Sequence, residues 1–390
     1  DQTQSDPTIP NSDRQPPYSW VLMGNLWGID TCNVFVFFSI GVLIPVWTED
    51  MGMTSLQAGL MGSTGFLGFG LMALPASIWL TKYNPRTITL ICTLGMAFVA
   101  LVHAIAPTVT VLLFARIAFV TLAVSRIQIQ VIFIQRWFFP RLYAFVNSID
   151  FSVRSLGQMV AAAATPILIV LMGSWRHVFA SVSLLLVILS VTWVLSERGQ
   201  HTHQVNNNLK PQHGNPAGVL KRHKILWVVA GCQLGAAITF ASYMTFYPTY
   251  AMEHLGISLS TVGILMAAFP AGGILGSLSS GPLSQTIGMR RPFVYIPGIL
   301  LPGMYFSLLV INSTLISMLI MFAAGFLAMG VPVILATIPM DMRLAPREVA
   351  VSHGLMRTLF PVGATIGPIF VGMIDQHSGS LFTGLSIVAP

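Results

Sequence analysis

Apolar runs of about twenty residues recur along nearly the whole chain, separated by short polar breaks. At 1.5 Å per residue each run is long enough to cross a hydrocarbon core of about 30 Å. Lipid offers no partner to backbone N–H and C=O groups, so such runs are predicted to be helices. The expected spans are 19–46, 56–80, 87–107, 110–135, 145–172, 176–195, 225–250, 257–284, 292–311, 314–340, 348–373 and a twelfth from about 379. The pattern predicts an all-α membrane protein of twelve transmembrane helices.

The runs are separated by one long polar segment, 196–224, which reads as a flexible linker between an N-terminal bundle (18–195) and a C-terminal bundle (225–390). Residues 1–17 are polar and unlike a cleavable signal peptide, and read as a disordered tail. The two bundles repeat. Arg154 and Arg357 lie 203 positions apart in the fifth and eleventh spans, and Pro166 and Pro368 follow 202 apart. Both halves therefore run the same way through the membrane, as in transporters that rock one half against the other. By that offset the twelfth span has room for only half its expected length before Pro390, so the chain is expected to be truncated there.

Composition agrees with this reading. Hydrophobic residues make up 54% and charged residues 8%, with a mean hydropathy of +0.77, whereas soluble domains carry about 25% charged residues. With the N-terminus on the cytoplasmic side, fourteen of the nineteen Lys and Arg residues fall on cytoplasmic segments, as the positive-inside rule requires. The net charge of +7 is thus a topological signal, and no nucleic-acid partner is implied. Cys32, Cys92 and Cys232 all fall in predicted helices, so no disulfide framework is expected. His201, His203 and His213 lie in the linker without a second feature to fix coordination geometry, and no metal or other cofactor is expected. No phosphate-binding loop suggests ATP-driven pumping, and the sequence reads as a transporter and not an enzyme. The asparagine of "NST" (312–314) lies too close to the membrane to weigh as a glycosylation site.

Several motifs resemble the major facilitator superfamily. "GPLSQTIGMRR" (281–291) is similar to that family's loop motif: Gly281, Leu283, Gly288, Arg290 and Arg291 match, while Gln285 and Thr286 replace an Asp-Arg pair. "ASIWLTKYNPR" (76–86) is a more degenerate copy, with Leu80 at the acidic position. In family members this motif helps latch the inner gate, which implies that role for Gly281, Gly288, Arg290 and Arg291 and a looser latch here. "LLFARIAFV" places Arg116 at the family's fourth-helix arginine. "RWFFP" (136–140) with "GSWRHVF" (173–179), and "GIDTCNVF" (28–35) with Asp30 and Asn33, resemble organic anion:proton symporter branches, although Thr31 stands where those have arginine. Spans two and eight lack the internal arginines of the nitrate branch. The resemblance implies a cavity between the halves lined by spans one, four, seven and ten.

The charges inside the spans carry the functional expectation. Asp30, Arg126, Asp150, Arg154 and Arg357 are placed near the midplane, where each costs roughly 2.5–3.5 kcal/mol unless paired or hydrated. Asp150 and Arg154, four apart on one face, are able to neutralise each other, either as a fixed clasp or as a pair that opens during transport. Arg126 and Arg357 have no acid within reach on their own helices and are the preferred substrate contacts, since a guanidinium matches a carboxylate bidentately. The three arginines exceed Asp30 and Asp150 by one charge, which an anion would complete. Asp30 is either a proton carrier, because its proton affinity depends on whether an arginine lies beside it, or a permanent counter-ion. His353, four residues before Arg357, is a third candidate for proton coupling, or a packing histidine. Gln130 and Asn33 share stripes with Arg126 and Asp30, and Phe37 continues the second stripe. Tyr243, with Tyr247 and Tyr250, forms a stripe ahead of Gln233 that serves either packing or an outer gate beside Pro248. Arg116 is read as structural, able to snorkel toward the outer surface.

These readings converge on a symporter importing a small organic anion, expected to be a carboxylate, with protons. The chain would be a monomer in the bilayer of a plasma membrane, most simply a bacterial inner membrane. The alternatives are a proton-driven antiporter exporting a drug or metal chelator, and a transporter-like sensor or binding protein.

Overall fold

The computed structural model describes residues 17–79, 84–138, 142–196, 218–335, 338–342, 344 and 346–389. The expected tail and most of the expected linker lie outside them. The described residues form fifteen helices and no strand. In chain order these are α1 (Pro17–Phe38), α2 (Ile40–Met51), α3 (Ser55–Trp79), α4 (Pro85–Ile105), α5 (Val109–Trp137), α6 (Tyr143–Met172), α7 (Trp175–Ser196) and the short α8 (Gly218–Arg222). There follow α9 (Ile225–Leu255), α10 (Leu259–Ile287), α11 (Pro292–Val310), α12 (Thr314–Leu335), α13 (Ile338–Asp341), α14 (Pro346–Ser378) and α15 (Leu381–Val388). Among the described residues, ten helices are long and apolar enough to cross a membrane. The elements α3 and α15 occupy the second and twelfth expected places.

Helix ends follow local chemistry. Thr54 and Gln57 form a reciprocal capping box that starts α3 (Thr54 N to Gln57 Oε1 3.0 Å, Gln57 N to Thr54 Oγ1 3.3 Å). Asn84 caps α4, with Pro85 behind it. Gly52 and Gly256, 204 positions apart, end α2 and α9 in the left-handed region at φ 65° and 62°, where a side chain would be strained. Pro45 and Pro248 precede them by seven and eight residues, so the internal repeat extends, within one residue, to backbone geometry.

The first expected span is two helices. It breaks at Ser39, and within α2 Pro45 leaves the Gly41 carbonyl, four residues back, without its helical N–H.

The pole of the bundle reached by the end of α2 is sealed by packing between the two halves. Helix α3 lies along α14, α6 along α10, and α2 along α9. A Cβ on Gly41 or Gly59 would strike the backbone carbonyl of Met244 or Pro368, so glycine permits these approaches. At Gly263 it would fall 2.7 Å from Pro166 Cγ. Ser63 donates across the same seam to the Thr365 carbonyl at 2.7 Å. We call this the distal pole.

Candidate functional site

Three helices of the first half, α1, α5 and α6, bring the expected charges together. Asp30 is buried on α1, and its Oδ1 accepts from Nη2 of the equally buried Arg126 on α5. Its Oδ2 faces Nη2 of Arg154 on α6 at 3.5 Å. Arg154 Nε donates to Asp150 Oδ2 at 3.1 Å, one turn away on the same helix. Gln130, one turn from Arg126, donates from Nε2 to Asp150 Oδ1 at 2.6 Å. The result is a closed set of two arginines and two aspartates.

Burial is uneven across this set. The Arg126 and Asp30 side chains are 0% and 1% exposed, whereas Arg154 is 26% and Asp150 17% exposed. Pairing is what makes such burial tolerable: removing one member of a buried pair costs about 3–5 kcal/mol, because the remaining charge has no compensation. Within the buried part, Arg126 Nε and Nη1 and Gln130 Oε1 have no hydrogen-bond partner among the described residues. Donors and an acceptor left over on one helix face are suited to holding a bridging water. Arg126, expected with Arg357 as a preferred substrate contact, is buried against Asp30, and Arg154 is the more exposed of the two guanidinium groups. Asp30 lies on another helix, at a position that counting along α5 could not reveal.

Arg116 also differs from expectation in one respect. It is structural, but it does not snorkel; it is 1% exposed. Its guanidinium donates to three backbone carbonyls: Met61 on α3 at 3.0 Å, Val36 at 3.2 Å and Phe37 at 3.2 Å. The last two are carbonyls freed at the end of α1, where the break at Ser39 interrupts the helical ladder. Phe37, expected beside Asp30, instead lies under this guanidinium at 5.3 Å and edge-on to Phe66.

Other expected contacts separate from the cluster. Tyr243 is buried and donates to the Tyr305 carbonyl at 2.9 Å, and Tyr250 donates to the Leu309 carbonyl at 2.6 Å. Of the two readings of this stripe, the geometry is that of packing against α11, and Tyr243 does not face an open site. Asn33 and Gln233 are 7% and 9% exposed, on α1 and α9, and make no hydrogen bond among the described residues. His353 and Arg357 fall on α14, in its proximal half, and their side chains lie outside the described residues. Gly288 ends α10 at φ 71°, and Arg290 and Arg291 lead into α11, where Pro292 occupies the first turn. Gly281 lies within α10, so the motif builds a tight turn between α10 and α11. The copy at 76–86 lies partly outside the described residues.

The sequence reading missed an aromatic chain that crosses both halves: Phe37, Phe66, Phe360, Phe240 and Phe269, with successive centroids 5.1, 6.4, 6.3 and 5.6 Å apart. It also missed Gln158, one turn beyond Arg154 on α6, which lines a cavity bounded by Phe240 and Phe269. The spacing of Asp150, Arg154 and Gln158 was the available signal.

The Major Facilitator Superfamily model matches residues 26–368. Among curated proteins, the chain is 21% identical over 363 residues to a probable sulfoacetate transporter, SauU, of Cupriavidus necator, covering 88% of this chain and 84% of that one. It is 25% identical over 253 residues to a probable galactarate/D-glucarate transporter, GarP, of Escherichia coli K12, covering 55% of each. A proton-coupled antiporter flippase, LtaA, of Staphylococcus haemolyticus is 28% identical over 181 residues, 45% of this chain and 44% of that one. Among solved structures, a bacterial homologue of the human lysosomal transporter Spinster, inward-facing and unoccupied, superposes with a TM-score of 0.81 at 18% identity, covering 93% of this chain and 84% of that one. The nucleoside transporter NupG gives 0.73 at 14% identity, covering 96% of each chain. The internal repeat, the helical architecture and the family match agree, and the chain belongs to the Major Facilitator Superfamily, as an integral multi-pass membrane transporter.

Proposed function

We propose that this transporter imports a small organic anion with protons, by rocking the bundles 18–195 and 225–390 about the seam between them. The observation that carries the reading is the uneven exposure of the cluster. One guanidinium, Arg154, is open, and its link to Asp30, at 3.5 Å, is the longest in the set. An entering carboxylate or sulfonate competes for Arg154 at that link, and Asp30 or Asp150, which share that guanidinium, is proposed to carry the proton. Arg126 holds Asp30 in place meanwhile. Arg357 is proposed to add the charge that the closed set lacks.

Two of the relatives are described as transporters of organic anions, sulfoacetate and galactarate or glucarate, which supports the anion. With the N-terminus cytoplasmic, the sealed pole is the outer one and the conformation is inward-facing. Proteoliposomes test the reading directly. Arg154→Gln is expected to abolish anion uptake in protein that still folds and inserts, and an Arg154→Gln variant transporting at the wild-type rate overturns it. An antiporter exporting its substrate is distinguished by collapsing the proton gradient, which stops accumulation in a symporter and raises it in a proton-driven exporter.

A further inference from the structure

Beyond Arg154, toward the distal pole, five helices leave a cavity of about 30 Å³. Phe38 and Val42 enter it from either side of the break at Ser39, Met244 from α9, and Met266 and Phe269 from α10. Its walls are hydrocarbon, thioether and aromatic, apart from Gln158. That amide makes no hydrogen bond among the described residues. Four residues after Arg154, it occupies the same face of α6, one turn deeper. A charged donor, an uncommitted amide and a mainly apolar cavity therefore follow one another along a single helix.

We propose that the anion is a short-chain aliphatic monocarboxylate, its head held by Arg154 and Gln158 and its alkyl tail in this cavity. The inference rests on the anion-transport reading above and narrows it. A cavity of this size has room for about one water-sized or methyl-sized group, so it selects short tails. A polyhydroxylated or doubly charged acid would press hydroxyls or a second charge against Phe38, Met244 and Phe269, where among the described residues Gln158 supplies the one polar side chain. The anions named for the relatives are of that polar kind, so this chain departs from them in specificity.

Calorimetric titration of the purified protein in detergent tests the assignment, with the straight-chain acids from acetate to hexanoate and with sulfoacetate and glucarate. Affinity is expected to rise about fourfold per methylene over the first members and then to fall once the cavity is full. Met266→Ala should move the optimum to a longer acid and Ala162→Leu to a shorter one. If Met266→Ala does not fold, Val42→Ala gives the same reading. Tighter binding of sulfoacetate or glucarate than of any alkyl acid, lost in Arg154→Gln, leaves anion transport standing and overturns the tail pocket. An optimum that neither enlarging variant moves also overturns it. A folded wild-type chain that binds none of these anions removes both this proposal and the reading on which it rests.

Discussion

Asp30 holds an arginine on each oxygen, and the two contacts differ in kind. Its bond to Arg126 is buried and its approach to Arg154 is half-open. Substituting Asp30→Asn leaves Arg126 without its counter-ion, which should destabilise the protein by about 3–5 kcal/mol. It should also make residual uptake independent of an imposed pH gradient; uptake that still follows an acid exterior removes Asp30 from the coupling path. Arg154→Gln should lower anion affinity about thirtyfold or more, the cost of deleting one partner of a desolvated charge contact. Because Asp150 is then left facing only Gln130, the double variant Asp150→Asn/Arg154→Gln should melt at a higher temperature than Arg154→Gln alone.

Among the elements, the broken first span and the arginine that braces it form one unit. Arg116 supplies donors to carbonyls that the bend at Ser39 leaves outside the helical ladder. Arg116→Met strands the Val36 and Phe37 carbonyls, at about 1–3 kcal/mol each, while Met61 keeps the Thr64 hydroxyl; the cost is offset in part by relief of a buried charge. A net loss of several degrees in melting temperature is expected, and an unchanged melt would show that the brace contributes nothing. The glycines on α2, α3 and α10 serve the other function of these elements, close approach between halves. Gly59→Val should prevent the distal seam from closing on α14. The measurable result is increased labelling of a cysteine placed at Val42 by an impermeant maleimide added from the distal side; labelling equal to that of the parent would place the closure elsewhere.

For the whole molecule, contacts between halves gather at the distal pole and the exposed guanidinium lies on the proximal side of the aromatic chain. Phe37, Phe66, Phe360, Phe240 and Phe269 span both halves, so opening the distal pole must part some of these ring contacts. In proteoliposomes with an acid exterior, anion accumulation should follow the size of the gradient and vanish with a protonophore. Accumulation that persists after the gradient is collapsed would exclude proton symport.

Fold class, span order and the internal repeat were legible in the sequence because lipid imposes a one-dimensional rule: every crossing must be a long apolar helix with its backbone satisfied within itself. The charged residues stood out for the same reason, since each is costly at that depth. Even the Asp150–Arg154 pair could be read, because both lie on one helix with a fixed pitch. What pairs across helices could not. That Asp30 meets Arg126, that Arg116 braces the break at Ser39, that Tyr243 turns into packing and that Gln158 enters a cavity all depend on how helices distant in sequence rotate and lean on each other. Several rotations bury a uniformly apolar helix equally well, and only the contacts among neighbouring helices choose one.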